Sequence, residues 1–178
     1  MRFRDLAQVI AEAKRTSEEE FAARYPSVAF VLENFLPPPA SHADSREWTE
    51  TNTALPTLPG GTGTGKLFPH GQIFWVDANV RAGQHVLEIG RTAPADVILE
   101  HPRISRRHAT IQKTEAGTWS IEHHGAEDGT MINGRPLHHG KNEPLEDGDV
   151  LLLGQIAILR VFFAPEALYR KLREALSM

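Results

Sequence analysis

The sequence predicts a mainly β fold: a sandwich of many short strands, preceded by a helical region and followed by one helix. Three observations carry that expectation. From residue 72 onward apolar residues recur with a period of two in short runs. Turn-forming pairs separate those runs, at Ala82-Gly83, Ala116-Gly117, Asn133-Gly134 and Asp147-Gly148. The two ends of the chain instead space their apolar residues as helices do.

Residues 1–36 read as an N-terminal helical region. Phe3, Leu6, Ile10 and Ala13 share one face of a first helix. Ser17 with Glu20 fits a capping box that opens a second, and Pro26 suits the first turn of a third. Val28, Phe30, Val31, Leu32, Phe35 and Leu36 are too apolar to remain exposed, and the prolines at 37–39 stop the helix there. Helices of this size make a marginal core alone, so they are expected to pack on the rest of the chain.

Residues 37–71 are rich in Pro, Gly, Thr and Ser and read as a linker. The stretch GGTGTGK at 60–66 matches a phosphate-binding loop in spacing. Leu67 stands where a Ser or Thr should hold magnesium, however, and Pro56 and Pro59 occupy the place of the preceding strand. No nucleotide site is expected. The β region spans 72–163, with strands expected at 72–77, 85–91, 96–99, 108–113, 118–123, 129–132, 136–137, 150–154 and 156–163. In residues 164–178, Pro165 opens a helix striped by Leu168, Leu172 and Leu176.

Composition narrows the function. The chain has 178 residues, 40% of them apolar and 24% charged, which suits one ordinary domain with a small appendage. A net charge of −4 gives no bulk attraction for nucleic acid or an anionic membrane. Cysteine is absent, so disulfides, thiolate-bound zinc and a thiol nucleophile are excluded. No apolar run is long enough to span a bilayer, and the N-terminus lacks a signal-peptide core. A cytoplasmic location is the expectation.

Within the β region several signals follow in fixed order. Ile89-Gly90-Arg91 ends a strand, then come Asp96 to Leu99 and Ile104-Ser105-Arg106-Arg107-His108-Ala109. Asp128-Gly129-Thr130, Ile132-Asn133-Gly134, Leu145-x-Asp147-Gly148-Asp149 and Leu153-Gly154 complete the series. This order resembles the forkhead-associated (FHA) family over residues 72–163. The resemblance implies a β sandwich of about eleven short strands whose loops at one end bind a phosphothreonine peptide, with no catalysis and no cofactor or metal. Arg91 matches the arginine that grips the phosphate, and Ser105 the serine that donates to its oxygens. Arg106 stands where family members contact phosphate or peptide, while Asp128 and Asn133 complete the expected peptide-binding set. Gly90, His108, Gly129 and Thr130 match residues that support the binding loops. The implied partner is a threonine-phosphorylated protein, a Ser/Thr kinase or its substrate.

The chemistry agrees. Phosphothreonine carries nearly two negative charges and three strong acceptors, which suit a guanidinium fork, a hydroxyl and backbone N–H groups. Two charge-assisted bonds at about 1.5–3 kcal/mol each discriminate a phosphorylated threonine from a bare one by at least about a hundredfold. One departure opposes this. Residues 126–130 read Ala-Glu-Asp-Gly-Thr where the family has Ser-x-Asn-Gly-Thr. Each carboxylate about 8 Å from a unit charge of the phosphate costs roughly 0.5–2 kcal/mol. Residues 122–149 hold seven acids against Arg135 and Lys141. Hence a second reading: an assembly protein that uses the sandwich and N-terminal helices to bind a partner without phosphate.

Other readings fare worse. Ser105 and His108 lack the strand-turn-helix setting of a nucleophile elbow. His123-His124 and His138-His139 are adjacent pairs that send side chains to opposite faces, so exposed loop histidines are expected rather than a zinc site. Arg103 and Arg107 are expected to be solvated, and three arginines without interleaved aromatics make a small footprint for nucleic acid.

Overall fold

A computed structural model of the protein describes residues 2–25, 28–35, 72–76, 79–81, 84–125 and 129–174. Thirteen strands among these residues form two sheets. The larger orders its strands β1 (Arg2–Asp5), β3 (Gln72–Val76), β2 (Val28–Phe35), β13 (Ala157–Phe162), β12 (Val150–Leu153), β9 (Thr130–Ile132) and β10 (Arg135–Pro136). The smaller runs β11 (Asn142–Leu145), β8 (Trp119–His123), β7 (Ala109–Lys113), β5 (Gln84–Gly90) and β4 (Asn79–Arg81), with β6 (Val97–Ile98) parallel to the end of β5. Between the sheets lies one core, built from alternate residues such as Leu87, Ile89, Ile111, Ile121, Leu151, Leu159 and Val161.

The larger sheet is covered on its other face as well. Helices α1 (Leu6–Ala13), α2 (Glu18–Arg24) and α3 (Pro165–Glu174) pack there on Ala29, Val31, Ile73, Trp75 and Phe162. The result is three layers: helices, sheet, sheet. The capping box opens α2, with Ser17 Oγ accepting from Glu20 N at 3.2 Å and Glu20 Oε2 from Ser17 N at 3.1 Å. Asp5 caps α1 by accepting from Ala7 N at 2.7 Å. Tyr25 stacks on Trp75 with ring centroids 4.5 Å apart, and the Tyr169 hydroxyl donates to Thr16 O. The C-terminal helix thus lies beside α1 and α2.

One expected helix is a strand. Val28–Phe35 pairs with both β3 and β13. Val28 and Phe30 enter the sandwich core, while Ala29 and Val31 enter the core under the helices. Because both faces are covered, Val28–Leu32 is apolar at every position, so its period of two disappears and the run looks like a buried helix. Arg2–Asp5 is likewise a strand, on the sheet edge beside β3. The sheet therefore draws strands from both sides of residues 36–71, which lie outside the described residues together with the GGTGTGK stretch. Truncation at residue 36 removes two strands and half of the second core, so loss of a partner after that deletion would report unfolding.

Strands β4 and β11 escaped the sequence reading for simpler reasons. β4 spans three residues, and β11 contains Pro144, which a sheet tolerates at an edge; β11 is the outermost strand of its sheet.

Candidate functional site

The loops after β5 and β8 open at the same end of the sandwich, because Ile89 pairs with Ala109 and Ala109 with His123. Two glycines let the 102–107 loop close on this end. A Cβ at Gly90 would stand 2.1 Å from the Arg106 carbonyl oxygen, and one at Gly154 would stand 2.6 Å from the Arg103 oxygen. The loop is thus seated on bare backbone on both sides. Gly90→Ala must push Arg106 outward. We expect a loss of about 1–3 kcal/mol, read as a lower urea midpoint with unchanged slope.

This seating brings Arg91 beside the loop that carries Ser105, Arg106 and His108. Arg91 N donates to Ser105 O at 2.9 Å, which ties the end of β5 to the loop. Arg91 is half-buried, and its Nη1 lies 3.4 Å from Pro102 O, too long for a strong bond. Arg106 is exposed beside Ser105, which is half-buried. Ser105 N donates to His108 Nδ1 at 3.3 Å, and His108 Nε2 lies 3.2 Å from Gly129 O. Because a backbone N–H can only donate, Nδ1 is the acceptor and Nε2 carries the proton that goes to Gly129. The fully buried His108 therefore spans the 102–107 loop and the loop before β9. Both ring nitrogens are engaged with backbone, which leaves neither for the Ser105 hydroxyl. The pair is not built as nucleophile and base.

Gly129 O also accepts from Gly154 N at 3.1 Å, and Thr130 Oγ1 meets His123 Nδ1 at 3.1 Å. Asn133 lies elsewhere. Its Nδ2 donates to Asp149 Oδ1 at 2.8 Å and its Oδ1 accepts from Val150 N at 3.0 Å, at the opposite end of β9 and β12. Its φ of 50° with 81° at Gly134 makes the tight β9–β10 hairpin. Ala126, Glu127 and Asp128 lie outside the described residues.

Among the described residues, the acids Glu143, Asp147 and Asp149 are spread out and engaged. Asp149 accepts from Glu146 N and Asn133, and Asp147 Oδ1 accepts from Phe163 N and Ala164 N ahead of α3. Those acids sit at the end away from Ser105 and are held by hydrogen bonds. Glu143 pairs with Arg135 at 3.4 Å.

Two histidines depart from the expectation of exposed loop residues. His123 is buried, its ring centroid 5.8 Å from that of His108, and His124 is half-buried against Thr110. His138 and His139 are exposed. Burial chiefly, then His139 and His124, hold the His123 pKa below its ordinary 6.5 against a backbone hydrogen bond to His108. Burial and Arg107 lower that of His124 against Glu122 and Glu88. Between the lowered folded values and 6.5 the unfolded chain binds more protons. Stability from these groups is therefore full above about pH 6.5 and falls as the pH drops through 6.5 toward the folded values. A urea series from about pH 7.5 to 5.5 should show that loss, and His124→Gln should reduce it. Among the described residues no cluster of three His, Asp or Glu could hold a metal ion. No helix among them is long and apolar enough to cross a membrane.

Comparison with known proteins adds the following. A family model, the FHA domain, matches residues 87–154. No curated protein matches the chain. Among solved structures, a Rad53 fragment, residues 1–466 in complex with AMP-PNP, is 27% identical with a TM-score of 0.42. That match covers 50% of this chain and 24% of the Rad53 fragment, so this chain spans about a quarter of it. The FHA domain of a hypothetical protein from Arabidopsis thaliana is 20% identical, with a TM-score of 0.49 and coverage of 79% and 87%. The N-terminal FHA domain of S. cerevisiae Rad53p, in complex with a phosphothreonine peptide, is 22% identical, with a TM-score of 0.46 and coverage of 55% and 88%.

Proposed function

Because residues 87–154 belong to the forkhead-associated family, we propose that this protein docks threonine-phosphorylated partners and so acts downstream of a Ser/Thr kinase. FHA domains bind phosphopeptides and are not catalysts. The observation that supports the proposal is the backbone bond from Arg91 N to Ser105 O, which sets Arg91 beside the loop of Ser105 and Arg106, with the Ser105 amide held by a buried histidine. Arg91 supplies the fork for the phosphate, the Ser105 hydroxyl a neutral donor, and Arg106 a second cation. Asp128 takes the peptide backbone beside the phosphothreonine. Gly90, Gly129, Thr130 and His108 keep the two loops in register, whereas Asn133 serves the far hairpin.

The ligand is a kinase product, so the proposal places the protein in the cytoplasm as an adaptor, with a Ser/Thr kinase or its substrate as partner. Fluorescence anisotropy with degenerate peptide pools built around phosphothreonine or threonine tests it. The phosphorylated pool is expected to bind at least about a hundredfold tighter. Equal affinities would overturn the proposal and favour a phosphate-free assembly role.

A further inference from the structure

A second group of charges lies behind the phosphate rim, and the contacts proposed above do not use it. Leu87 and Ile89 turn into the sandwich core, so Glu88 between them faces outward from the smaller sheet. It stands opposite Thr110 on β7, which stands opposite Glu122 on β8. Arg107, expected from sequence to be solvated, reaches back over this row and sets its Nε 3.1 Å from Glu88 Oε1. The Glu88 side chain is only 11% exposed, against 64% for Arg107, so the carboxylate is a nearly buried anchor and the arginine a strap laid across it. His124 completes the group, with Nε2 2.6 Å from Thr110 Oγ1 and Nδ1 3.8 Å from Glu122 Oε1.

Consecutive residues of the loop therefore take different directions. Ser105 and Arg106 belong to the rim, Arg107 is tied to the outer face, and His108 is sunk in the core. His108 fixes the loop from inside through Ser105 N. Arg107 fixes it from outside, one residue after Arg106. With both anchors set, the stretch between them has little freedom to rotate.

Resting on the phosphopeptide reading, we propose that Arg107 is a positioning residue: its ion pair with Glu88 holds Ser105 and Arg106 in the orientation that receives phosphate, without touching the ligand. Orientation and bulk electrostatics make opposite predictions for one substitution. Glu88→Gln removes a negative charge behind the rim, so a purely electrostatic role for this region predicts tighter phosphopeptide binding. Positioning predicts weaker binding, because the strap loses its anchor.

The test uses the full chain and the phosphothreonine and threonine peptide pools named above, with Glu88→Gln, Arg107→Ala, Arg107→Lys and the double variant Glu88→Gln/Arg107→Ala. Glu88→Gln and Arg107→Ala are each expected to weaken phosphopeptide binding about three- to fivefold. The double variant should be no weaker than Arg107→Ala, and Arg107→Lys should recover part of the loss. A ligand-free measurement accompanies this: hydrogen exchange at the Ser105 amide should quicken in Glu88→Gln. Tighter or unchanged binding by Glu88→Gln, with Ser105 exchange unaltered, overturns the positioning role alone. A wild-type chain that fails to prefer the phosphorylated pool overturns the phosphate reading and this role with it.

Discussion

In Arg91→Ala the preference for phosphorylated over unphosphorylated peptide is expected to collapse, while the thermal midpoint scarcely moves. The backbone N–H of residue 91 still donates to Ser105 O, so the loop keeps its tie to β5. What disappears is the fork. One charge-assisted bond is worth about 1.5–3 kcal/mol, so affinity for the phosphopeptide should fall roughly ten- to hundredfold while binding of the threonine pool stays flat. Arg91→Lys keeps the charge and loses the bidentate geometry, and should recover only part of the loss. Titration of both pools against each variant, repeated at two salt concentrations, checks this. Arg91→Ala that still discriminates phosphate would place the anion elsewhere on the rim.

The largest expected change in stability comes from a buried ion pair remote from the site. Arg160 on β13 is fully buried, and its Nε donates to Glu33 Oε1 on β2 at 2.6 Å. Nη1 donates to Gly148 O at 2.9 Å, while Arg160 Nη2 and Glu33 Oε2 have no hydrogen-bond partner. Such a pair is costly to assemble and costlier to break on one side. Glu33→Ala strands the guanidinium in the interior and should cost about 3–5 kcal/mol, seen as a marked drop in the urea midpoint. Removing both charges, as in Glu33→Leu with Arg160→Met, should restore most of that loss and can exceed wild type, since desolvation and the unpaired atoms vanish together. A double variant no more stable than Glu33→Ala would mean the pair repays its own burial.

Where the chain alternates apolar and polar residues, or folds on short-range chemistry, the sequence was legible. The Asn133-Gly134 hairpin, the Ser17–Glu20 capping box and nine strands of the β region all follow from neighbours within a few positions. Reading the rim was possible for a different reason: Gly90, Arg91, Ser105 and His108 match the motif order of the forkhead-associated family, and that resemblance, rather than any rule of periodicity, pointed to them. Glu88 gave no such signal. One acid on a strand looks like any solvent-facing residue until Arg107 is seen to lie across it. Asn133 gave a signal of another kind: its position inside a familiar motif suggested ligand contact, and in the fold its amide bonds Asp149 and Val150 at the far hairpin.

By itself, then, the sequence determined the β sandwich, the turns that cut it into strands and the basic loop at one end, because each rests on local periodicity or local hydrogen bonding. Only the tertiary structure decided the fate of Val28–Phe35 and of the charges. An apolar run takes its period from what covers its two faces, and here those faces belong to different cores, one under the second sheet and one under the helices. Whether a charge is a solvated ornament or a strap depends on what stands opposite it. Arg160 found Glu33 and Arg107 found Glu88 only when distant strands came together.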